Sequence, residues 1–279
     1  MLKSFDRLHR DEESPLLSRD DFAARSVLEP QNMLRESRRQ KGLPRGSVPE
    51  VCILDPDADI VRYVRSVNGA TPCPTWACYH TEMWEWRHCG RRVGIVGGAV
   101  GGSFAVLVAE QLMASGCELL VSIASAGKIS PALELPAYVL IERALRDEGT
   151  SHHYLPISSF VEADERLVAR AEAAIRSKGF HIVRGTTWTT DAPFRETEAM
   201  IAARQRQGVL TVEMEAASLL AFSKARHFPL VCAAHVTNQL GRREGDFEKG
   251  ELNGSSQSLS LALAVADDWR ENAAREGDA

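Results

Sequence analysis

The chain has 279 residues, 44% of them hydrophobic and 25% charged, which is enough to bury a large core in one domain or at most two. Its formal net charge of -5 gives no electrostatic reason to expect binding to nucleic acid or to an anionic membrane. The sequence contains neither an apolar run long enough to span a bilayer nor a basic start followed by an apolar stretch. We therefore expect a cytoplasmic protein whose partners are small molecules.

The first part of the chain, residues 1–46, is rich in Arg, Asp, Glu and Ser and lacks a sustained apolar period. Gly and Pro in "RESRRQKGLPRGS" end this part in the manner of a linker. We predict that residues 1–46 form an extension or arm, with some helical content, rather than a domain. Residues 47–279 are then predicted to form the single folded domain.

A cluster of possible metal ligands lies near the start of that domain, where "CPTWACYHTEMWEWRHC" contains Cys73, Cys78, His80, His88 and Cys89. A structural zinc site is one interpretation, but a Cys-x4-Cys spacing is loose and the adjacent His88 and Cys89 fit one tetrahedral site poorly. The other interpretation is a hairpin-like segment whose aromatic residues pack on the sheet and whose cysteines act as small hydrophobic residues. We favour the hairpin and predict reduced thiols and no metal.

From Val51 onward, short apolar runs alternate with segments of helical periodicity. The predicted strands are "VCIL", "RRVGIVGG", "ELLVSIAS", "AYVLIERAL", "TTWTT", "GVLTVEME" and "PLVCAAHVTN". The predicted helices are "SFAVLVAEQLMASG", "DERLVARAEAAIRSKG", "RETEAMIAARQRQG" and "EAASLLAFSKARH". Such alternation predicts a three-layer α/β domain with helices on both faces of the sheet. Ligands of these sheets bind at strand ends, so the loops after strands are the candidate site.

Two of these loops consist of small residues. "GGAVGGS", which includes Gly101, joins a predicted strand to a predicted helix, and its backbone amides could bind an anion or a hydroxyl group. A tight strand-to-helix turn explains the same glycines equally well, and the stretch matches neither GxGxxG nor a P-loop. In "ASAGK", Ser125 and Gly127 again follow a strand, and small side chains there let a ligand approach the main chain.

The stretch "VEMEAA" places Glu213 and Glu215 where a predicted strand gives way to a predicted helix. Glutamate in the first turn of a helix is an ordinary stabilising feature, because the helix dipole favours negative charge there. The same junction lies at the edge of the sheet where pockets form, so the two carboxylates can also face a ligand.

These motifs, together with "TTDAPFRET" and "ALRDEGTSHHYLP", occur in an order that resembles the nucleoside phosphorylase superfamily. That superfamily includes uridine phosphorylase, hexameric purine nucleoside phosphorylase and methylthioadenosine nucleosidase, and the resemblance extends from about Val51 to Val265. It implies a mixed central sheet flanked by helices. It also implies that residues 47–279 are a catalytic domain that cleaves the N-glycosidic bond of a nucleoside.

The resemblance implies a role for each residue of the candidate site. Glu215 would accept hydrogen bonds from the ribose 2'- and 3'-hydroxyls, Met214 would pack on the sugar, and Glu213 would lie beside the base. Phe194 would stack on the base. A carboxylate close to the sugar favours the positive charge of an oxocarbenium-like transition state, so Glu215 is the residue on which turnover most depends. The other predicted substrate-binding residues are Ser125, Gly101, Gly127 and Asp57.

The chain departs from the phosphorylases where they bind phosphate. Their GDPxR segment corresponds here to "PDADI", which keeps Asp57 but has Ile60 in place of the arginine, and a second phosphate arginine corresponds to Ser122. Two guanidinium groups that would bind a dianion are therefore missing. The acceptor is then either water or phosphate. Phosphate would require Lys128, Arg62 or Arg65 to replace the missing arginines. We predict no cofactor, with phosphate as a possible co-substrate.

The residue expected to protonate the leaving base is also changed. Purine-cleaving members place an aspartate after the last strand, whereas this chain has Asn238, which can hydrogen-bond but cannot donate a proton to the base. We therefore predict a pyrimidine or modified base. Asp191 is an alternative proton source, although an aspartate there can equally cap a turn.

Two classes of function fit these residues. The favoured one is an enzyme that cleaves a nucleoside or nucleoside-like metabolite, and the alternative is a non-catalytic nucleoside-binding protein. The resemblance also implies a homo-oligomer, because relatives complete each pocket with a residue from a neighbouring subunit.

Overall fold

The computed structural model describes residues 15–18, 21–67, 69–241, 244, 246–247, 249 and 251–277. In this part of the chain ten strands form one sheet in the order β10-β6-β8-β9-β5-β1-β4-β3-β2, with β7 paired to β6 and β10 also paired to β5. The strands are β1 (Val51–Asp55), β2 (Thr71–Pro72), β3 (Met83–His88), β4 (Arg91–Gly97), β5 (Leu119–Lys128), β6 (Ala137–Asp147), β7 (Phe160–Glu162), β8 (Val183–Thr190), β9 (Val209–Glu213) and β10 (Leu230–Asn238).

The pairing brings the loops of the candidate site to one edge of the sheet. Strand β1 is parallel to both β4 and β5, and β5 is parallel to β10, so these four strands end together. Asp55 pairs with Gly97, and Asn238 pairs with Gly127. Strand β9 runs antiparallel to β5 and places Val212 opposite Gly127. The sheet is therefore mixed, and both small-residue loops adjoin the end of β9.

Helices cover both faces of the sheet. Helices α3 and α6 pack on one face, and α2, α4 and α7 pack on the other, which confirms the predicted three-layer architecture. The helices are α1 (Pro30–Lys41), α2 (Asp59–Val67), α3 (Gly102–Ala114), α4 (Glu165–Ser177), α5 (Glu198–Arg206), α6 (Ala216–Arg226) and α7 (Ser255–Gly277). None of the helices within the described residues is both long and apolar enough to cross a membrane.

Local sequence explains where several helices begin. The Asp164 side chain accepts a hydrogen bond from the Leu167 N–H and so caps α4, and Thr197 caps α5 in the same way through the Met200 N–H. Helices α2 and α7 were not among the predicted helices. The sequence pattern does not predict helix α7, because "SLSLALA" alternates in the manner of a strand. In the structure this segment is helical and buries Leu259 against the sheet.

The predicted arm contains α1, which packs on the domain through Leu34, a residue that is only 3% exposed. Two cations at the end of this helix bind backbone carbonyls of the domain, since Arg38 Nη2 donates to Thr75 O (3.1 Å) and Lys41 Nζ donates to Cys78 O (2.5 Å). Residues 1–14 of the arm lie outside the described residues, and the boundary at residue 46 stays a prediction.

The Cys/His cluster contains a β-hairpin, in which β3 and β4 pair antiparallel around the turn at Cys89 and Gly90. Both turn residues have positive φ, 49° and 78°. Cys73 and Cys78 are buried, and all six cysteines of the chain are free thiols. Within the described ranges, His88 and Cys89 come together with Asp267, their ligand atoms lying within 4.8 Å of one another.

Candidate active site

Glu215 lies in the short connection between β9 and α6, beneath the glycine loop that precedes α3. Its side chain is buried, and its Oε1 accepts a hydrogen bond from the Gly101 N–H at 2.6 Å while its Oε2 accepts one from the Met214 N–H at 3.3 Å. Gly101 has a φ of 89°, a conformation that favours glycine, so the turn that presents this N–H needs a residue without a side chain. The sequence motifs "VEMEAA" and "GGAVGGS" are thus joined by a direct hydrogen bond.

The carboxyl group of Glu215 is strongly perturbed. Burial raises its pKa to about 8, and the nearby charges of Glu213 and Asp57 act in the same direction, whereas the two backbone N–H donors lower it. A bound pentose would supply hydroxyl donors to this carboxyl group. Such donors stabilise the ionised form, so the side chain is prepared for a ligand that brings hydrogen bonds or positive charge.

This raised pKa predicts how the stability of the free protein depends on pH. The folded state holds a proton on Glu215 between the ordinary pKa of 4.5 and about 8, where the unfolded state has released it. The stabilisation is therefore complete below 4.5 and is lost as the pH rises toward 8, with a slope of at most about 1.4 kcal/mol per pH unit. We expect Glu215→Gln to flatten this slope in denaturant unfolding measured across the window. An unchanged slope in the variant would show that another group causes the pH dependence.

Glu213 occupies a different environment from Glu215. Its Oε2 accepts hydrogen bonds from the N–H groups of Glu215 (2.8 Å) and Ala216 (2.7 Å), and its Oε1 accepts from Thr189 Oγ1 (2.6 Å) and Thr187 Oγ1 (3.3 Å). The side chain is 5% exposed. Burial raises its pKa, while these four donors lower it. Glu213 thus holds the start of α6 in place, and its carboxylate has little capacity left for a ligand.

Asp57 binds the second small-residue loop. Its Oδ2 accepts a hydrogen bond from the Ser125 N–H (2.7 Å), and its Oδ1 accepts one from Ser125 Oγ (3.0 Å). Lys249 Nζ lies 3.6 Å from Asp57 Oδ1 and donates to Asp59 Oδ2 at 2.7 Å. A carboxylate of the protein itself therefore takes the donors that the loop would otherwise offer to an anion.

None of the residues considered as substitutes for the missing arginines supplies an available cation at this loop. Arg62 binds Asp59, and Arg65 stacks on the Trp84 ring with its guanidinium carbon 3.9 Å from the ring centroid. Lys128 lines a separate depression beside Ile129. Ile60 and Ser122, which the family resemblance aligns with the phosphate-binding arginines, are each 3% exposed.

A cavity of about 360 Å³ opens beside Ser125 at the end of the sheet. Its described lining consists of Ser125, Ala126, Gly127, Pro193, Phe194, Glu196, Val212, Glu213, Met214, Asn238, Leu240 and Phe247. A Cβ atom on Gly127 would come within 2.3 Å of Leu240 Cδ2, so a larger residue at this position would require the Leu240 side chain to move. The Phe194 side chain is fully exposed and forms part of the rim.

Two of the predicted catalytic residues are engaged elsewhere. Asn238 Oδ1 accepts a hydrogen bond from the Leu240 N–H (3.0 Å), and its Nδ2 lies 3.4 Å from Ala126 O. The amide is thus held by internal bonds, although the side chain lines the cavity. Asp191 is exposed and lies outside the cavity lining, where its Oδ2 accepts from the Gly149 N–H at 2.8 Å.

The structure places most of the predicted site residues together. Six of them line the cavity, namely Ser125, Gly127, Phe194, Glu213, Met214 and Asn238. The pairs Glu215–Gly101 and Asp57–Ser125 adjoin it, and Asp191 is the residue set apart. Sequence reasoning missed Glu196, for which no signal was available. It also missed Thr187 and Thr189, whose alternation in "TTWTT" places both side chains on one face of β8.

Comparisons with known proteins identify the family to which the chain belongs. A family model described as the phosphorylase superfamily matches residues 58–275. Uridine phosphorylase of Thermococcus kodakarensis is 26% identical over 254 residues, covering 83% of this chain and 87% of that protein. A DeoD-type purine nucleoside phosphorylase of Bacillus cytotoxicus is 29% identical over 179 residues, covering 63% of this chain and 76% of that protein.

The fold is shared with a solved structure as well. The crystal structure of AMP nucleosidase from Bacteroides thetaiotaomicron VPI-5482 matches with a TM-score of 0.69 and 18% identity, covering 88% of this chain and 99% of that one. At this identity the match concerns the fold alone. Because the family model covers most of the chain, the protein belongs to the phosphorylase superfamily and is an enzyme of the nucleoside phosphorylase and nucleosidase type.

Proposed function

We propose that this enzyme hydrolyses the N-glycosidic bond of a nucleoside, with water rather than phosphate as the acceptor. The observation that carries the proposal is the loss of both phosphate arginines, whose positions are taken here by the buried Ile60 and Ser122. The Asp57 carboxylate, which is retained from the GDPxR segment, accepts hydrogen bonds from both the N–H and the Oγ of Ser125. Here a phosphate would have to displace a carboxylate of the protein, and the two like charges would repel each other.

Electrostatics around the same loop favour a neutral acceptor. Asp57 and Asp59 share a single lysine, Lys249, among the described residues, and Glu215 lies close enough to Asp57 for the charge of Asp57 to raise its pKa. Among the described residues, a dianion would meet three carboxyl groups here and no free guanidinium to bind it. Water carries no charge, so the carboxyl groups do not oppose its approach and can accept its hydrogen bonds.

The sugar end of the proposed mechanism depends on Glu215. Cleavage of an N-glycosidic bond develops positive charge on the pentose, and a buried carboxylate stabilises that charge strongly because water is excluded. The bond from the Gly101 N–H fixes the orientation of the carboxyl group before substrate binds. An interaction that strengthens as charge develops lowers the barrier, whereas equal binding of substrate and transition state would not.

The acceptor is tested by following base release from a panel of purine, pyrimidine and base-modified nucleosides with and without added phosphate. We expect equal initial rates in both conditions and free ribose as the sugar product. A phosphate-dependent rate with ribose 1-phosphate as product would overturn hydrolysis. A uridine phosphorylase assayed in parallel gives the phosphorolytic product and serves as the control.

The same panel of nucleosides tests which base the enzyme prefers and whether the protein is catalytic at all. The preference for a pyrimidine or modified base stays a prediction, and the relative kcat/KM values across the panel test it. Binding of a nucleoside without any release of base, measured by calorimetry, would instead support the non-catalytic nucleoside-binding protein.

A further inference from the structure

Glu196 is an acidic residue of the cavity that has no assigned role. It follows the short 3-10 turn Pro193–Arg195 after β8, and its side chain is half-buried at the same cavity as Met214 and Asn238. Its carboxyl group makes no hydrogen bond or ion pair with any residue that the structure describes. An unpartnered carboxyl group that lines a substrate cavity is a candidate for proton transfer to or from the ligand.

The other possible proton donors at this cavity can be compared directly. Among its described lining residues only Glu196 and Glu213 are titratable. Glu213 is closed off by four hydrogen bonds that its carboxylate accepts from the protein. Asn238 has no proton to give at neutral pH, and Asp191 is turned toward the Gly149 N–H outside the cavity.

Charged groups on the neighbouring segments are engaged elsewhere. Asp246, next to the cavity-lining Phe247, accepts hydrogen bonds from the N–H groups of Gln239 (2.8 Å) and Gly241 (2.7 Å). Lys249 binds Asp59. Arg195, which precedes Glu196 in the chain, is exposed and does not belong to the lining.

The environment of Glu196 suits an acid that works near neutral pH. Burial alone raises its pKa to about 7, because no cation or hydrogen-bond donor among the described residues stabilises the ionised form. A general acid is most effective when its pKa is close to the working pH.

We propose that Glu196 is the general acid that protonates the departing base, an inference that rests on the hydrolysis proposed above. The C1'–N bond breaks with its electron pair moving to the base, and the Glu196 carboxyl group delivers a proton to an acceptor atom of that base. Water forms the new C1'–O bond. The proton that the water loses passes to solvent, from which the Glu196 carboxylate is reprotonated, so the net reaction is nucleoside and water to ribose and free base.

The experiment compares substrates that need a proton on the leaving group with one that does not. We expect Glu196→Gln to lower kcat/KM for a nucleoside about 10²-fold or more, in the range of general-acid catalysis. For p-nitrophenyl riboside, whose leaving group departs as a stable anion, we expect the same variant to stay close to wild type. Equal losses on both substrates, or no loss on the nucleoside, would overturn the proposal.

A pH profile on the nucleoside gives a second and independent readout. We expect wild-type kcat/KM to rise as Glu215 ionises and to fall again on the alkaline side, where Glu196 has lost its proton. In Glu196→Gln the rise should stay and this alkaline limb should be absent. Survival of the limb in the variant would assign it to another group. Glu118→Gln is the matched control, because Glu118 is exposed immediately before β5, at the end of that strand opposite to Ser125.

The two proposals fail in different ways. If the wild-type enzyme released no base from any nucleoside without phosphate, hydrolysis would be wrong whatever Glu196 does. If the wild type turned over and Glu196→Gln matched it on every substrate and at every pH, only the role of Glu196 would be wrong.

Discussion

Replacement of Glu215 by glutamine is expected to lower kcat for nucleoside cleavage about 10²- to 10³-fold, the range seen when a group that stabilises transition-state charge is removed. The amide keeps the size of the side chain and can still accept the Gly101 N–H bond through its oxygen. What it loses is the negative charge that would face the oxocarbenium-like sugar. The expected loss therefore appears in kcat more than in KM.

The interpretation of that result depends on an intact fold. Circular dichroism and denaturant unfolding should show that Glu215→Gln folds like the wild type, with equal or greater stability at the alkaline end of the pH window, because the variant no longer ionises a buried group. Glu118→Gln again serves as the control with unchanged kcat. Wild-type turnover in a folded Glu215→Gln protein would remove Glu215 from the site.

Much of the fold could be predicted from the sequence because most strands read clearly. The seven predicted strands correspond to β1, β4, β5, β6, β8, β9 and β10, since each is a short run of apolar, β-branched or aromatic residues. The shortest strands, such as β2 with two residues, depend on pairing with neighbours rather than on their own pattern. Helix α2 is short but amphipathic, with Ile60, Val61 and Val64 buried at helical spacing, so its period was present in the sequence and was missed.

The site residues that lie within a contiguous sequence motif could be predicted from the sequence. "VEMEAA" identified Glu215 and Met214, and the order of loops after parallel strands brought Ser125 and Gly101 near them. The partner of each polar group was not predictable. That Asp57 would bind Ser125 is a property of the folded edge of the sheet, because the two residues are 68 positions apart in the chain.

Glu196 is the clearest case of a site residue that the sequence alone could not predict. In the sequence it is one acid among several in "PFRETEAM", and the motif marks Phe194 rather than its neighbour. Its place at the cavity depends on the 3-10 turn that follows β8, and its lack of a protein partner depends on everything around it. A missing interaction leaves no trace in the pattern of residues, so it is visible only in three dimensions.

Replacement of Glu213 by alanine is expected to destabilise the protein by about 3 kcal/mol or more, a larger effect on folding than any change at Glu215. The Glu213 carboxylate accepts from two backbone N–H groups at the start of α6 and from the hydroxyls of Thr187 and Thr189. Each buried donor left without a partner costs about 1–3 kcal/mol. Denaturant unfolding measures the loss, with Glu162→Ala as the control, since the Glu162 side chain is 59% exposed.

Glutamine at position 213 should be tolerated far better than alanine. Its amide oxygen can accept from the N–H groups of Glu215 and Ala216, and its NH₂ group can donate to the threonine hydroxyls, which are able to reverse their direction. If Glu213→Ala is too unstable to purify, the free energy of unfolding of Glu213→Gln is measured instead, and a smaller loss of stability is expected. Glutamine at position 213 preserves the junction between β9 and α6, and this junction holds the carboxyl group of Glu215 in position. Glu213→Gln should therefore keep most of the turnover that Glu215→Gln loses. A variant with glutamine at 213 that folds well yet is as inactive as Glu215→Gln would instead place Glu213 in contact with substrate.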